Sequence, residues 1–165
     1  MSRNRTIRRG VVRATVVVLA ALVALAAGLA IPGFVQGADL SAPATAQKPF
    51  SAVYVTSFVE HDGAYWSFSG PGTGTIVGPS TVVCWVHQPW ASKARGTGTI
   101  TTDTGDSLYF DFTQTLDKDT RAYVGPYTIV GGTGRFGNAS GTGTFIATDN
   151  PDRTVTLTFD GTISF

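Results

Sequence analysis

The sequence is poor in charge, in cysteine and in histidine. Charged residues make up 14% of its 165 residues, against about 25% in an average soluble domain. Cys84 is the one cysteine, which excludes an intramolecular disulfide framework and a cysteine-rich zinc site. His61 and His87 leave little room for a histidine-based metal centre. We therefore expect no metal and no other cofactor.

The few basic residues are concentrated at the N-terminus. Five of the twelve lie in the first 13 residues: Arg3, Arg5, Arg8, Arg9 and Arg13. The other seven stand against eleven acidic residues, so the rest of the chain has a net charge of −4. A nucleic-acid-binding surface needs clustered lysine and arginine to displace counterions. The charge distribution therefore argues against a nucleic-acid partner.

The N-terminal segment has the pattern of an export signal. After the basic start, residues 14–31 (ATVVVLAALVALAAGLAI) are apolar, and no charge follows until Asp39. This pattern is typical of a secretory signal. Residues 44–46 (ATA) fit a cleavage site, and the segment that ends at Gly37 is a second candidate. About 20 apolar residues also suffice to span a bilayer. We interpret residues 1–37 as a signal peptide or, if uncleaved, as a membrane anchor formed by one hydrophobic helix.

Both interpretations place the remaining chain outside the cytoplasmic membrane. Residues 38–48 form a short polar linker, and residues 49–165 form the folded domain. The expected location is secreted or extracytoplasmic. Contact with the membrane is expected only through residues 1–37, and only if they are not removed.

The domain has the two-residue periodicity of β-strands. Apolar side chains alternate with polar ones in residues 106–115 (DSLYFDFTQT) and 153–160 (RTVTLTFD), and residues 51–59 and 81–87 are rich in β-branched and aromatic side chains. Such runs predict strands with one buried face. Clusters of turn-forming residues separate the runs: Gly70-Pro71-Gly72, Gly78-Pro79, Thr104-Gly105-Asp106, Gly131-Gly132, Asp149-Asn150-Pro151-Asp152 and Asp160-Gly161.

A glycine repeat favours a closed sheet. Gly-Thr-Gly-Thr occurs at residues 72–75, 96–99 and 141–144, each time before an apolar residue. Glycine inside a strand usually marks a bend or a close backbone approach. Several such strands within roughly 115 residues predict an all-β domain, a small closed antiparallel barrel of eight strands. A two-sheet sandwich has the same pattern and is the alternative.

Residues 125–145 (GPYTIVGGTGRFGNASGTGTF) resemble a segment of the allene oxide cyclase and dirigent barrels: a strand, a G-G-[ST]-G-x-F turn and a glycine-marked strand. They are also similar to exported bacterial proteins with a GGTGRF stretch. The resemblance covers about residues 96–165. It implies an eight-stranded barrel with an apolar lumen that steers the cyclisation or coupling of its substrate. It also implies a homo-oligomer, because the plant proteins form trimers.

The resemblance assigns no catalytic residue, because the first strand does not match the catalytic tract of the cyclases. The turn itself is interpreted as structural. Its glycines can adopt positive φ without steric cost and would let the following phenylalanine return to the core. The residues of this turn motif are Gly131, Gly132, Gly134, Arg135 and Phe136.

The aromatic residues supply the candidate ligand site. A ligand cavity needs apolar walls with few polar groups, and we predict that it is lined by residues from Trp66, Trp85, His87, Tyr109 and Tyr123. Alternation places Cys84 and His87 on opposite faces of their strand, which argues against a Cys–His nucleophile.

Three hypotheses follow. The first is an exported barrel that binds an apolar small molecule and steers its reaction by shape, which would make it a cyclase-like isomerase. The second is a non-catalytic envelope or secreted barrel whose lumen is filled by side chains. An unrecognised secreted hydrolase is the third.

Overall fold

The computed structural model describes residues 46–165. The predicted signal or anchor (1–37) and residues 38–45 of the predicted linker lie outside the described residues. Eight antiparallel strands, each hydrogen-bonded to its neighbour in the sequence and the last to the first, form a closed barrel. The strands are β1 (Lys48–Asp62), β2 (Tyr65–Gly74), β3 (Gly78–Trp90), β4 (Lys93–Thr102), β5 (Ser107–Leu116), β6 (Tyr123–Gly132), β7 (Ser140–Asp149) and β8 (Val155–Ser164).

This architecture confirms the all-β, eight-stranded barrel and excludes the sandwich. The predicted N-terminal hydrophobic helix lies outside the described residues. Within residues 46–165 no helix has the length and apolar character needed to cross a membrane.

The strands form because their side chains alternate between the lumen and the outer surface. In β5, Leu108, Phe110 and Phe112 are buried, whereas Tyr109 and Asp111 are exposed. Burial of each such apolar side chain contributes about 1.5–3 kcal/mol. Because closure leaves no sheet edge, the backbone groups of all eight strands can be paired within the barrel.

Glycines in the strands leave space for aromatic rings in the lumen. The glycines of the Gly-Thr-Gly-Thr repeats point inward and the threonines outward. Four of these glycines are cross-strand partners of large rings: Gly72 of Tyr54, Gly96 of Phe112, Gly98 of Phe110 and Gly143 of Tyr127. The interpretation of these glycines as close-approach points is confirmed.

Two predicted turns are wrong because they lie within strands, whereas Gly78-Pro79 begins β3 and Gly131-Gly132 ends β6, next to turns. Gly70-Pro71-Gly72 lies inside β2, and Asp160-Gly161 lies inside β8. The glycines are needed there because of close contact with neighbouring strands. A Cβ atom on Gly70 would lie 2.0 Å from the carbonyl oxygen of Val55, and one on Gly161 would lie 2.6 Å from the Cα of Gly143.

One end of the barrel is closed by the loop that contains the predicted turn motif. A 3-10 helix (Gly134–Phe136) follows β6 and places the Phe136 ring in the core with no exposed surface. Gly131 and Gly134 have φ angles of 128° and 55°, which glycine adopts without steric cost. Gly132 differs from the expectation. Its φ is not positive, and it is required because a Cβ would lie 2.1 Å from the carbonyl oxygen of Ser107.

The Arg135 side chain connects this loop to two neighbouring turns by polar contacts. Its Nη2 donates a hydrogen bond to the carbonyl oxygen of Ile76 at 3.0 Å, and its Nε lies 3.6 Å from the carboxylate of Asp106. These contacts occupy the guanidinium with protein groups, which supports the structural interpretation of the motif.

Aromatic rings fill the lumen from the closed end to its middle. Phe159 is central, with ring centroids 4.5 Å from Phe145, 5.0 Å from Phe110 and 5.4 Å from Tyr127. Edge-to-face and offset contacts of this kind add about 0.5–1.5 kcal/mol per pair beyond burial. The filled half therefore forms the hydrophobic core, and any space for a ligand lies beyond it.

Candidate functional site

A cavity of about 530 Å³ occupies the other half of the lumen, at the end where β1 meets β2 and β3 meets β4. We call it the lumen cavity. Its inner limit is formed by Phe112 and Phe145, whose ring centroids lie 4.8 Å apart. The remaining walls are mainly apolar and come from Phe58, Trp66, Phe68, Cys84, Val86, Ala94, Ala147, Val155 and Leu157.

Few polar groups reach the lumen cavity, and most already have partners. Gln88 Nε2 donates to the Tyr123 hydroxyl at 2.6 Å, and that hydroxyl donates to the carbonyl oxygen of Ala91. Gln114 Nε2 lies 3.2 Å from two backbone carbonyl oxygens, those of Tyr123 and Phe145. These bonds hold the polar side chains in fixed positions within an apolar wall, the arrangement typical of small-molecule sites.

Charged side chains line the cavity only at its mouth. Asp149 and Arg153 are both exposed; Asp149 ends β7 and Arg153 lies in the connection to β8. Arg153 has a φ of 68°, an uncommon conformation for a residue with a side chain. The distribution of polar groups, charge at the mouth and apolar walls inside, suits an amphipathic ligand.

Cys84 is an unreactive part of the cavity wall. Its side chain is buried, and burial raises the pKa of its thiol to about 12. The thiolate is the nucleophilic form of cysteine, so Cys84 stays a neutral thiol near pH 7. The structure confirms that His87 lies on the opposite face of β3 from Cys84.

Within residues 46–165, no cluster of three or more histidine, cysteine, aspartate or glutamate side chains could hold a metal ion. Burial also raises the pKa values of Tyr54 and Tyr127 in the filled half to about 12. The filled half of the barrel therefore keeps its two tyrosines neutral, and the lumen cavity offers mainly shape and apolar contact, with Asp149 and Arg153 at its mouth.

A cluster of aromatic rings from β1 and β2 borders the lumen cavity. Trp66 lies against His61, with ring centroids 4.0 Å apart, and against Phe58 at 5.4 Å. A β-bulge between Phe58 and Glu60 changes which residues of β1 face inward. It pairs His61 with the inward-facing Trp66 and directs Glu60 to the outer surface.

The structure separates the five predicted ligand-site residues. Trp66 and Tyr123 line the lumen cavity. Trp85 and His87 lie on the outer surface, and Tyr109 also faces outward, between the buried Leu108 and Phe110. The two groups cannot contact one ligand in the lumen, and a ligand-binding role for each residue stays a prediction.

A second concave region lies on the outer surface, across the neighbouring strands β1 to β5. This outer groove has a volume of about 620 Å³ and lies on the other side of the barrel wall from the lumen cavity, with Trp66, Val86 and Phe112 contributing to both. The rings of Tyr65 and His87 stack there with centroids 4.6 Å apart. Arg95 Nε donates a hydrogen bond to His87 Nδ1 at 3.3 Å.

The sequence interpretation missed several walls of the lumen cavity. Gln114 was detectable, because it continues the buried face of β5 after Phe110 and Phe112 and a polar residue on such a face needs partners. Phe58 and Phe68 could not be identified as cavity residues in this way. The β-bulge in β1 changes which residues near these two rings face the lumen, and sequence alternation does not show that change.

Comparisons with known proteins leave the function open. No protein-family model matches the sequence, and no curated protein matches it. Among solved structures, the chain is similar to a protein with unknown function from Clostridium acetobutylicum, with 14% sequence identity and a TM-score of 0.41. That similarity covers 70% of this chain and 98% of the other chain. A likeness of this degree says nothing about activity.

Proposed function

We propose that the protein binds an apolar or amphipathic small molecule in the lumen cavity. One observation carries this proposal: the barrel is packed with aromatic rings in one half and leaves about 530 Å³ in the other. Ligand pockets typically measure about 300–1,000 Å³ and have apolar walls with few polar groups. The lumen cavity meets both conditions.

Steering of a cyclisation or coupling is the finer form of this proposal. Holding a flexible molecule in a reactive conformation needs a rigid, shaped wall more than ionisable groups. The edge-to-face rings of Phe112 and Phe145 and the hydrogen-bonded Gln114 give such a wall. The protein would then accelerate an intramolecular step while contributing little covalent chemistry.

Kinship with the allene oxide cyclase and dirigent barrels and a location outside the cytoplasmic membrane are further proposals. The closed eight-stranded barrel and the GGTGRF turn support the kinship. The basic and apolar residues 1–37 support export. Sequencing the N-terminus of the protein recovered from culture medium and from membranes tests the export proposal, since a chain confined to the cytoplasm would contradict it.

The binding proposal is tested by filling the lumen cavity. Ala147 lines the cavity, and Thr144 lies exposed on the outer face of the same strand. We expect Ala147→Phe in the full chain to weaken binding of the fluorescent apolar probe 1-anilinonaphthalene-8-sulfonate at least fivefold. Thr144→Phe, the matched control, adds the same ring outside the lumen and should leave binding within twofold of the unchanged chain.

Equal probe binding by all three chains would contradict the proposal and favour a non-catalytic barrel with a closed interior. Thermal unfolding of each variant shows whether the fold is retained. If Ala147→Phe unfolds, the smaller change Ala147→Val provides the same test with a weaker expected effect.

A further inference from the structure

We propose that the outer groove binds a neutral oligosaccharide, at a site separate from the lumen cavity. Outward-facing residues of five neighbouring strands are in register in this groove. Across β1 to β5, one row of outward-facing residues runs Glu60, Ser67, Trp85, Thr97 and Asp111. Adjacent strands lie about 4.8 Å apart. Trp85 therefore has a small hydroxyl-bearing residue on each side and a carboxylate about 10 Å away in both directions along the row.

A second row lies one step closer to the open end of the barrel. It runs Asp62, Tyr65, His87, Arg95 and Thr113. Residues two apart on a strand are separated by about 6.8 Å, so the two rows are neighbours. Together the two rows bring the rings of Trp85, Tyr65 and His87 close to one another. We call these rings the aromatic centre; acidic groups lie at its edges, and Arg95 lies next to His87.

The aromatic centre is accessible. Trp85 and Tyr65 are 54% and 62% exposed. Large apolar side chains that are grouped together on a surface often mark a binding site. The face of an aromatic ring carries partial negative charge and attracts weakly positive C–H groups. A pyranose ring presents such C–H groups on one side and hydroxyls around its edge. A sugar ring can therefore lie on Trp85 with its hydroxyls directed at the neighbouring polar side chains.

The polar groups of the groove are available for hydroxyls. Within residues 46–165, Glu60, Asp62 and Asp111 form no ion pair. A carboxylate accepts hydrogen bonds on two oxygens, and a guanidinium donates from several nitrogens in a plane. Vicinal hydroxyls of a sugar match both geometries. The carboxylates are spaced along the row, so an extended chain of several sugar units suits the groove better than a single compact ligand.

A cationic ligand suits the groove less well, although acidic residues outnumber basic ones there. Arg95 lies in the second row next to His87, to which it donates a hydrogen bond. A cation placed on the aromatic centre would lie close to this guanidinium. Carboxylates in the row of Trp85 would be about 10 Å away, beyond the Debye length of about 8 Å at physiological ionic strength. Asp62 lies beside Tyr65, so a cation could meet a carboxylate at that edge of the groove but not on Trp85.

Isothermal titration of the full chain with cellohexaose, maltohexaose and chitohexaose tests the proposal. We expect saturable binding of at least one of these neutral probes. Trp85→Ala should weaken that binding at least tenfold. Trp90→Ala is the matched control, because Trp90 is 67% exposed on the same strand and lines neither the groove nor the lumen cavity. It should change binding less than twofold.

Two further measurements separate a saccharide from other occupants. Binding should stay within twofold between about 0.05 and 0.5 M sodium chloride, since no net charge is neutralised. Asp111→Asn, which keeps an acceptor oxygen, should weaken binding less than Asp111→Ala. Ala147→Phe should leave saccharide binding unchanged, because the inference does not rest on the lumen cavity.

Failure of all three probes to bind would overturn the proposal. So would equal loss on Trp85→Ala and Trp90→Ala, or salt-sensitive binding of choline or a lysine peptide in the groove. Self-association that Trp85→Ala abolishes, measured by light scattering, would assign the groove to a second copy of the chain and would also overturn it.

Discussion

The ring of Phe110 lies directly on Gly98 of the neighbouring strand. The two residues are cross-strand partners, and a Cβ atom on Gly98 would lie 2.2 Å from the Cζ of Phe110. The Phe110 ring cannot move away from Gly98, because it also packs edge-to-face on Phe145 and Phe159. The glycines of the repeat are therefore part of the core packing: they supply the space that the lumen rings occupy.

We expect Gly98→Ala to lower the free energy of unfolding by about 1–3 kcal/mol, the usual cost of overpacking a dense core. Gly137→Ala is the matched control. Gly137 has a φ of −52°, and a Cβ there would meet its nearest atom at 3.5 Å. Urea unfolding of the two variants checks the difference. Equal stability of both would contradict the packing role of Gly98.

The two buried tyrosines of the filled half should respond in opposite ways to loss of the hydroxyl. Within residues 46–165, the Tyr127 hydroxyl is buried without a hydrogen-bond partner, whereas that of Tyr54 lies 2.8 Å from Ser80 Oγ. An unsatisfied buried polar group costs about 1–3 kcal/mol. Tyr127→Phe should therefore raise the unfolding free energy by about 1 kcal/mol, and Tyr54→Phe should lower it by about as much. Denaturant midpoints decide this, and a loss of stability in Tyr127→Phe would contradict it.

The barrel should lose stability in alkali. Burial raises the pKa of Cys84 from 9.0 to about 12 and the pKa values of Tyr54 and Tyr127 from 10.0 to about 12. Below pH 9 these groups are neutral in both states, so their full contribution is present. Between pH 9 and 12 they ionise in the unfolded chain first, which favours unfolding.

The unfolding free energy, measured with urea from pH 7 to 11, should stay level to about pH 9 and then fall. Cys84→Ala should delay the start of that fall towards pH 10, where the tyrosines begin to ionise. A level profile through pH 11 would show that these groups are not held in the neutral form by burial.

We expect Phe136 to contribute more than Arg135 to the stability that the turn motif gives the fold. Phe136 is fully buried at the closed end, and removing such a ring costs about 3–5 kcal/mol. Arg135 is half exposed, and its contact with Asp106 is a surface pair worth about 0–1 kcal/mol. Thermal unfolding of Phe136→Ala and Arg135→Ala checks the contrast. A larger loss in Arg135→Ala would point to a role for the arginine beyond the fold.

Much of the barrel was predictable because its strands are amphipathic. The run at residues 106–115 predicts β5 (Ser107–Leu116) within one residue at each end, and residues 81–87 lie inside β3. The errors occurred where glycine has two roles. Gly70-Pro71-Gly72 and Asp160-Gly161 have the composition of turns, but close contact between strands explains their glycines as well, and the sequence alone does not distinguish the two causes.

The site was less predictable, for two physical reasons. Val82 and Cys84 face the lumen while Val83 and Trp85 face outward, so both faces of β3 carry apolar residues and alternation does not identify the inner one. The bulge near Val59 then changes the inward-facing positions of β1. As a result, the predicted site combines residues of the lumen cavity with residues of the outer groove.

Native mass spectrometry of the full chain, after purification without organic solvent, is the most direct test of ligand binding in the lumen cavity. The account predicts a co-purifying or added apolar molecule bound one per barrel, which the Ala147→Phe chain fails to retain and the Thr144→Phe chain keeps. A barrel that stays empty with every apolar compound offered, or that retains its ligand equally in both variants, would contradict it.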